Sequence, residues 1–293
     1  MKQYFIQVTA KDAGPLVNLL VRHLGINEKT AMNLIGAGSV WNEKKAERIK
    51  DGNYAVSNEL ILVNKPLQEL VPYPFSPQDI KYEDDTMCIC YKHPGFSTVP
   101  TPYSDIASLS HAITLHYGSK KNPGNVTVIN RLDVPTQGLV VFGLNRKTGN
   151  ALQSMFKERN IRKYYLVRTE YLQNPESFYR FNDTLIWKGK PKSANSLFYL
   201  INTDTSGATF LVRPLTGRTH QIRKHCRRYL APVHGDQRYG SKMDGKPFGL
   251  LCFAYIFTHP RTGEKISVKF IPETLRSFYF PSKQAIHTDN SGN

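Results

Sequence analysis

Leu211-Val212-Arg213-Pro214-Leu215-Thr216-Gly217-Arg218-Thr219-His220-Gln221-Ile222-Arg223 decides how this chain is read. Its apolar opening reads as a strand, Pro214 to Gly217 as a turn, and the stretch after it as the start of a helix. Thr216 or Thr219 can cap that helix, and free backbone donors at a helix N-terminus favour a phosphate. Arg218 stands on the turn, placed either to pair with a carboxylate or to hold a phosphate. Arg223, Lys224, Arg227 and Arg228 follow as a basic helix flank suited to a phosphate backbone. Lys224 and Arg228 suit a solvated face better, and His220 suits a structural hydrogen bond.

The carboxylate is upstream, in Val128-Ile129-Asn130-Arg131-Leu132-Asp133 followed by Thr136-Gln137-Gly138-Leu139. If that segment is extended, Arg131 and Asp133 share a face. Pro135 prevents a helix from running through, so Asp133 falls at a strand end or loop. The apolar Leu139-Val140-Val141-Phe142 anchors the loop to a core. A carboxylate held near arginines stays ionised and can act as a nucleophile.

The 293 residues suit one large domain or a catalytic domain with a small appendage. Lys+Arg number 39 against 23 Asp+Glu, a net charge of +16 that favours a polyanionic partner. Cys88, Cys90, Cys226 and Cys252 lack the spacing of a zinc site and suit core packing. No apolar run approaches the ~20 residues of a membrane span. The amino-terminal residues lack the apolar core of a signal peptide, so a cytoplasmic, reduced protein is expected.

Residues 1–70 read as a small separate unit. A strand at Tyr4-Phe5-Ile6-Gln7-Val8 precedes a helix over Leu16 to Leu24, which Gly25 can end, and Asn27 can cap a second helix. Pro66, Pro72, Pro74 and Pro77 mark a linker over 71–78. The main domain is expected over 79–283, with a polar, disordered tail at 284–293. Strand-like runs at 86–92, 138–144, 161–169, 194–202, 207–213 and 266–271 interleave with helix-like runs near 106–117, 146–159 and 219–230. That irregular order gives an α+β class.

These segments, with His234-Gly235-Asp236 and Phe257-Thr258-His259-Pro260, together resemble the RluA-type pseudouridine synthases over roughly residues 79 to 273. The resemblance implies the fold of that family, a mixed, largely antiparallel central sheet with flanking helices. It also implies that residues 1–70 are similar to the small alpha-L RNA-binding motif appended to many members. In the family the aspartate of an Arg-Leu-Asp motif is the nucleophile, which falls on Asp133. A basic residue and a tyrosine two places on fall on Arg162 and Tyr164, the tyrosine packing on the target base; the adjacent Tyr165 is the alternative register, since strand alternation lets only one of the pair face the pocket. The arginine that approaches the nucleophile falls on Arg218. Arg131, Arg162, Thr219, Arg223 and Arg227 are the implied RNA contacts. Asn130, Gln137 and Leu251 depart from the family's usual residues.

The resemblance implies isomerisation of uridine to pseudouridine in structured RNA without metal or organic cofactor, by a protein acting as a monomer. Ribosomal RNA is the expected substrate and transfer RNA the alternative. The target uridine would flip out of its RNA context. Asp133 would attack the ribose anomeric carbon, or act on it while a neighbouring proton leaves. The freed uracil would turn so that its carbon 5 bonds to the ribose, in a pocket that shuts out water. A non-catalytic RNA-binding protein would keep the basic face without depending on Asp133. A glycosidase would need two carboxylates flanking the bond, and the basic charge fits neutral sugars poorly.

Overall fold

The computed structural model describes residues 2–66, 70–118, 126–187, 189–243 and 247–281. The tail expected over 284–293 lies outside them. The chain divides into two compact units, one of Met1–Pro77 with Phe96–Arg131, the other of Gln78–Gly95 with Leu132–Asn293.

The first unit opens with β1 (Lys2–Gln7), β2 (Gly14–Pro15), α1 (Leu16–Leu24) and α2 (Glu28–Gly36). It continues with β3 (Val40–Asn42), β4 (Glu47–Arg48), β5 (Ala55–Val56) and β6 (Leu60–Lys65), and β1, β6, β3 and β4 form one sheet in that order. Leu16, Val17, Leu19 and Leu20 of α1 are buried at helical spacing. Gly25 ends α1 at φ +61° and donates to the Val21 carbonyl, while the Asn27 side chain accepts from Thr30 N at 2.8 Å and caps α2.

By its contacts the stretch 96–131, with α3 (Leu109–Gly118) and β9 (Thr127–Val128), groups with this unit, although it lies inside the span 79–283 expected for the main domain. Specific hydrogen bonds are the reason. The Arg48 guanidinium lies 4.4 Å from the Trp41 ring centroid and donates to the Gly38 and Thr101 carbonyls. Trp41 Nε1 donates to Pro102 O at 2.7 Å and Ser39 Oγ to Tyr103 O at 2.6 Å, and Lys50 pairs with Asp105. Arg131, exposed, closes this stretch.

The second unit contains β7 (Ile80–Glu83), β8 (Met87–Lys92), β10 (Gln137–Gly143), α4 (Arg146–Lys157), β11 (Arg162–Thr169), β12 (Phe178–Trp187) and β13 (Lys190–Asp204). After them come β14 (Gly207–Pro214), α5 (Gln221–Tyr229), β15 (Leu250–Thr258), β16 (Lys265–Lys269) and α6 (Glu273–Tyr279). The sheet runs β12-β13-β14-β11-β15-β10-β8-β7, and β16 also pairs with β15. Within the unit the pairings are antiparallel except β10 with β15, so the mixed, largely antiparallel α+β expectation holds. Every residue of β8 and β10 is buried, as their continuous apolar runs require of strands covered on both faces.

The parallel junction of β10 and β15 positions the Asp133 loop. Gly138 pairs with Cys252 at φ +124°, and a Cβ there would come within 2.2 Å of the Cys252 carbonyl oxygen. Only glycine permits that approach. The strand therefore begins immediately after the Asp133 turn, which is closed by Thr136 N donating to Asp133 O at 3.0 Å. Among the described residues no helix is long and apolar enough to cross a membrane.

Candidate active site

The turn between β14 and α5 is built around one side chain, Gln221. Its Oε1 accepts from Thr216 Oγ1 at 2.6 Å and from Arg218 N at 3.0 Å. Its Nε2 donates to Asn195 O at 2.9 Å and Ser196 Oγ at 2.8 Å, and Thr216 Oγ1 in turn accepts from Asn195 N at 2.9 Å. This cluster replaces a side-chain cap, since His220 occupies the N-cap at φ +55° and makes no capping bond. Thr216 is buried in the cluster while Thr219 is exposed. With the turn fixed, the first turn of α5 directs Arg223 inward, 4 % exposed.

Arg223 joins two carboxylates. Its Nε and Nη2 each reach one oxygen of Asp236 at 2.7 Å, a bidentate pair with a carboxylate only 1 % exposed. Its Nη1 donates to Asp133 Oδ2 at 3.0 Å, and the Asp133 side chain keeps 28 % exposure. The guanidinium lies 4.9 Å from the Tyr239 ring centroid and 5.5 Å from that of Phe248. Burial alone would lower the Arg223 pKa, but the bonds to Asp236 and Asp133 more than offset it and the pKa is raised. The cation is permanent, and its plane is set by Asp236 before any substrate arrives.

His220 completes the rim. Its Nε2 stands 3.6 Å from Asp133 Oδ2, and its Nδ1 is 2.8 Å from the Tyr239 hydroxyl. Burial lowers its pKa below the ordinary histidine range; Asp133 opposes this, and Arg223, Arg238 and Lys224 reinforce it. The imidazole is therefore neutral at pH 7. Asp133 Oδ2 thus holds the arginine, and among the described residues nothing bonds to Oδ1.

Two further groups meet Asp133 from the sheet. Lys92, fully buried at the end of β8, donates to His93 O at 2.9 Å and, at 3.2 Å, to the carbonyl of Val134, the residue after Asp133. Burial pushes its pKa down to about 7, and Asp133 opposes the shift. Tyr165 on β11 is 8 % exposed, interacts electrostatically with Asp133, and hydrogen-bonds the Cys252 thiol. Burial raises its phenol well above the ordinary range, so the ring stays protonated at neutral pH.

Lys92 supplies a pH test. Its folded pKa lies below the ordinary lysine value, so between about pH 7 and about 10 the unfolded chain binds the extra proton. The buried charge therefore penalises the fold most below pH 7, and the penalty fades as pH rises. Lys92→Met is expected to gain stability relative to the parent at pH 6. Above pH 7 that advantage should shrink by roughly 1.4 kcal/mol per pH unit. Urea unfolding of both proteins from pH 6 to pH 9 checks the trend, and a pH-independent difference would contradict it.

Three assignments from sequence change. Among the described residues no interaction joins Arg218 to Asp133; its Nε donates to Ser193 O at 2.9 Å, and Arg223 of the same motif is the arginine that bonds to Asp133. Helix phase decides this, because the turn of Arg218 precedes α5 and Arg223 falls on the buried side of it. Tyr165, not Tyr164, faces the site. The pairing of β11 with β15 slips between Tyr164 and Tyr165, so Tyr165 opposes Cys252, Tyr164 opposes Ala254 and Lys163 opposes Tyr255. The slip keeps Lys163 and Tyr165 on one face with Cys252 and Tyr255, which bond to each other at 3.5 Å. Among the described residues no interaction joins Tyr164 to Asp133. Arg223 is also too buried for the RNA contact first expected of it, whereas Arg162 and Arg227 are exposed.

Of the departures from the family pattern, Gln137 accepts from the Tyr91 hydroxyl at 2.8 Å behind the loop. Leu251 is fully buried in a cluster with Tyr91, Leu166, Leu275 and Tyr279. Asn130 is buried in the other unit. Sequence reasoning missed Lys92, whose signal was a lysine ending the apolar run Met87 to Tyr91, and it noted Asp236 only within a matching segment.

A family described as RNA pseudouridylate synthase matches residues 86–228. An uncharacterized RNA pseudouridine synthase of Mycoplasma genitalium is 28 % identical over 281 residues, covering 89 % of this chain and 88 % of that protein. The dual-specificity RNA pseudouridine synthase RluA of Haemophilus influenzae is 28 % identical over 224 residues, 71 % of this chain and 96 % of its own. The ribosomal large subunit pseudouridine synthase D of Neisseria meningitidis is 26 % identical over 272 residues, 82 % of this chain and 71 % of its own. Among solved structures, human RNA pseudouridylate synthase domain containing 1 superposes with a TM-score of 0.55 at 23 % identity, over 68 % of this chain and 85 % of that one.

Proposed function

Because the chain belongs to the RNA pseudouridylate synthase family and is thus an RNA isomerase, we propose that it converts a specific uridine of ribosomal RNA to pseudouridine, with Asp133 as nucleophile. The observation that carries this reading is the partly exposed Asp133 carboxylate at the end of a buried Arg223–Asp236 pair. Oδ2 is held by Arg223, leaving Oδ1 to reach the anomeric carbon of an extruded uridine. The bond from that carbon to N1 breaks as the bond to Oδ1 forms, the uracil turns, and carbon 5 then attacks the anomeric carbon and displaces Oδ1, which frees the carboxylate. Carbon 5 then loses its proton and N1 gains one, so the atoms balance without redox change.

Arg223 steadies the carboxylate as negative charge leaves and returns to it. Tyr165 acts through its ring and its protonated hydroxyl, not as a phenolate, because burial keeps its proton on. The apolar walls around Cys252 and Leu139, both fully buried, limit the water that would otherwise capture the sugar.

Ribosomal RNA is favoured because the Neisseria relative is named for the large ribosomal subunit. Transfer RNA, the alternative that the resemblance implies, is the second reading. Tritium release from transcripts labelled at carbon 5 of uridine separates them. Release from unmodified large-subunit domains and not from transfer RNAs supports the first, and the reverse supports the second. Tight binding without release from any transcript would favour a non-catalytic RNA-binding protein.

A further inference from the structure

Lys163 is the second residue of β11, on the face that carries Tyr165, Cys252 and Tyr255. Its ammonium lies 5.2 Å from the centroid of the Phe156 ring on α4. At its other side a Cβ placed on Gly217 would stand 3.4 Å from its Nζ. The side chain therefore reaches from the sheet to the exposed Gly217 of the turn that precedes α5. Among the described residues no carboxylate, carbonyl or hydroxyl accepts a hydrogen bond from it. Burial lowers its pKa, and the Cys252 thiol opposes the shift.

An ammonium largely withdrawn from water without an acceptor is unfavourable unless an anion completes it. The aromatic face of Phe156 offsets only part of that cost. Gly217 leaves the approach over the ammonium uncovered, as a backbone coming close to a ligand requires. Other buried cations of this unit have acceptors already: Arg223 has Asp236 and Asp133, Arg168 has Asp204 at 2.6 Å, and Lys92 has the His93 and Val134 carbonyls. Lys163 differs in having its partner's place open.

We propose that Lys163 is a phosphate-binding residue, its ammonium donating to a non-bridging oxygen of the RNA backbone next to the target uridine, over Gly217. The inference rests on RNA as the substrate of the Asp133 site. It assigns to a strand residue beside Tyr165 the task of fixing the sugar–phosphate so that the anomeric carbon meets Oδ1.

The test is made in an Asp133→Asn background, where binding is read without turnover, on labelled transcripts of unmodified large-subunit ribosomal RNA domains. Lys163→Met is expected to weaken binding about tenfold, the size of one charged hydrogen bond. The slope of log affinity against log salt should fall by roughly 0.7 to 0.9, one phosphate's worth. Lys163→Arg should keep most of that slope. The melting temperature of RNA-free Lys163→Met should match or exceed that of its background, because a desolvated charge has been removed. Unchanged affinity and slope would overturn the proposal. So would a drop in melting temperature that accounts for the lost binding, since the lysine would then be structural. If the parent released no tritium while the salt slope still fell, isomerisation would fail and the phosphate contact would stand.

Discussion

Asp133→Asn is expected to lower isomerisation by on the order of 10⁴-fold or more while leaving the fold intact. The carboxamide is nearly isosteric and its oxygen can still accept from Arg223 Nη1, now 3.0 Å from Oδ2. What disappears is the anionic oxygen needed to take the anomeric carbon. Arg223 keeps its bidentate bonds to Asp236, so no buried charge is orphaned. Unfolding free energy should therefore change by no more than about 1 kcal/mol. Rate and melting temperature measured on one preparation check both halves. A stable variant with activity within tenfold of the parent would remove Asp133 from the chemistry.

Arg223→Met should be the most damaging single change to stability. It leaves Asp236, 1 % exposed, as a carboxylate without its cation. Breaking a buried pair at one partner costs roughly 3–5 kcal/mol. Adding Asp236→Asn removes the stranded charge and should restore much of that loss. Activity should not return in the double variant, because Asp133 has lost its anchor and the charge that steadied it. Urea unfolding of the parent, the single and the double variant, with tritium release on each folded form, separates the two effects. Arg223→Met as stable as the parent would contradict the buried-pair reading; an active double variant would contradict the catalytic one.

Much of the architecture was legible because its central strands are chemically plain. The apolar runs beginning at Met87 and Gly138 sit in β8 and β10, buried on both faces. The caps at Gly25, Asn27 and Asn145 have the geometry their residue types favour. Strand β12 escaped notice because Arg180, Asn182, Asp183 and Thr184 interrupt its apolar residues. It is stabilised by pairing with β13 along its whole length, which no local pattern reports. The grouping of 96–131 with the amino-terminal unit was invisible for the same reason. Arg48, Trp41 and Lys50 reach their partners across more than fifty positions.

At the site, Asp133 was readable because a proline turn followed by an apolar strand announces a displayed side chain. The choice between Arg218 and Arg223 was not readable, since both lie in one motif and only helix phase tells them apart. The Asp236 partner, 13 positions after Arg223, is the signal that could have decided it. Tyr165 ranked behind Tyr164 because alternation was applied from Arg162, whereas counting from Lys163 reaches it. The slip opposite Phe253 then fixes which ring meets Cys252.

The most direct test is single-turnover tritium release at carbon 5 of uridine, with protein in excess over an unmodified large-subunit ribosomal transcript, comparing the parent with Asp133→Asn. Excess protein removes RNA affinity from the comparison, so the rate reports chemistry at the Asp133 carboxylate. Complete release by the parent and none by the equally well folded variant is the predicted result. Equal release by both would contradict a nucleophilic Asp133 and require another group to take the ribose.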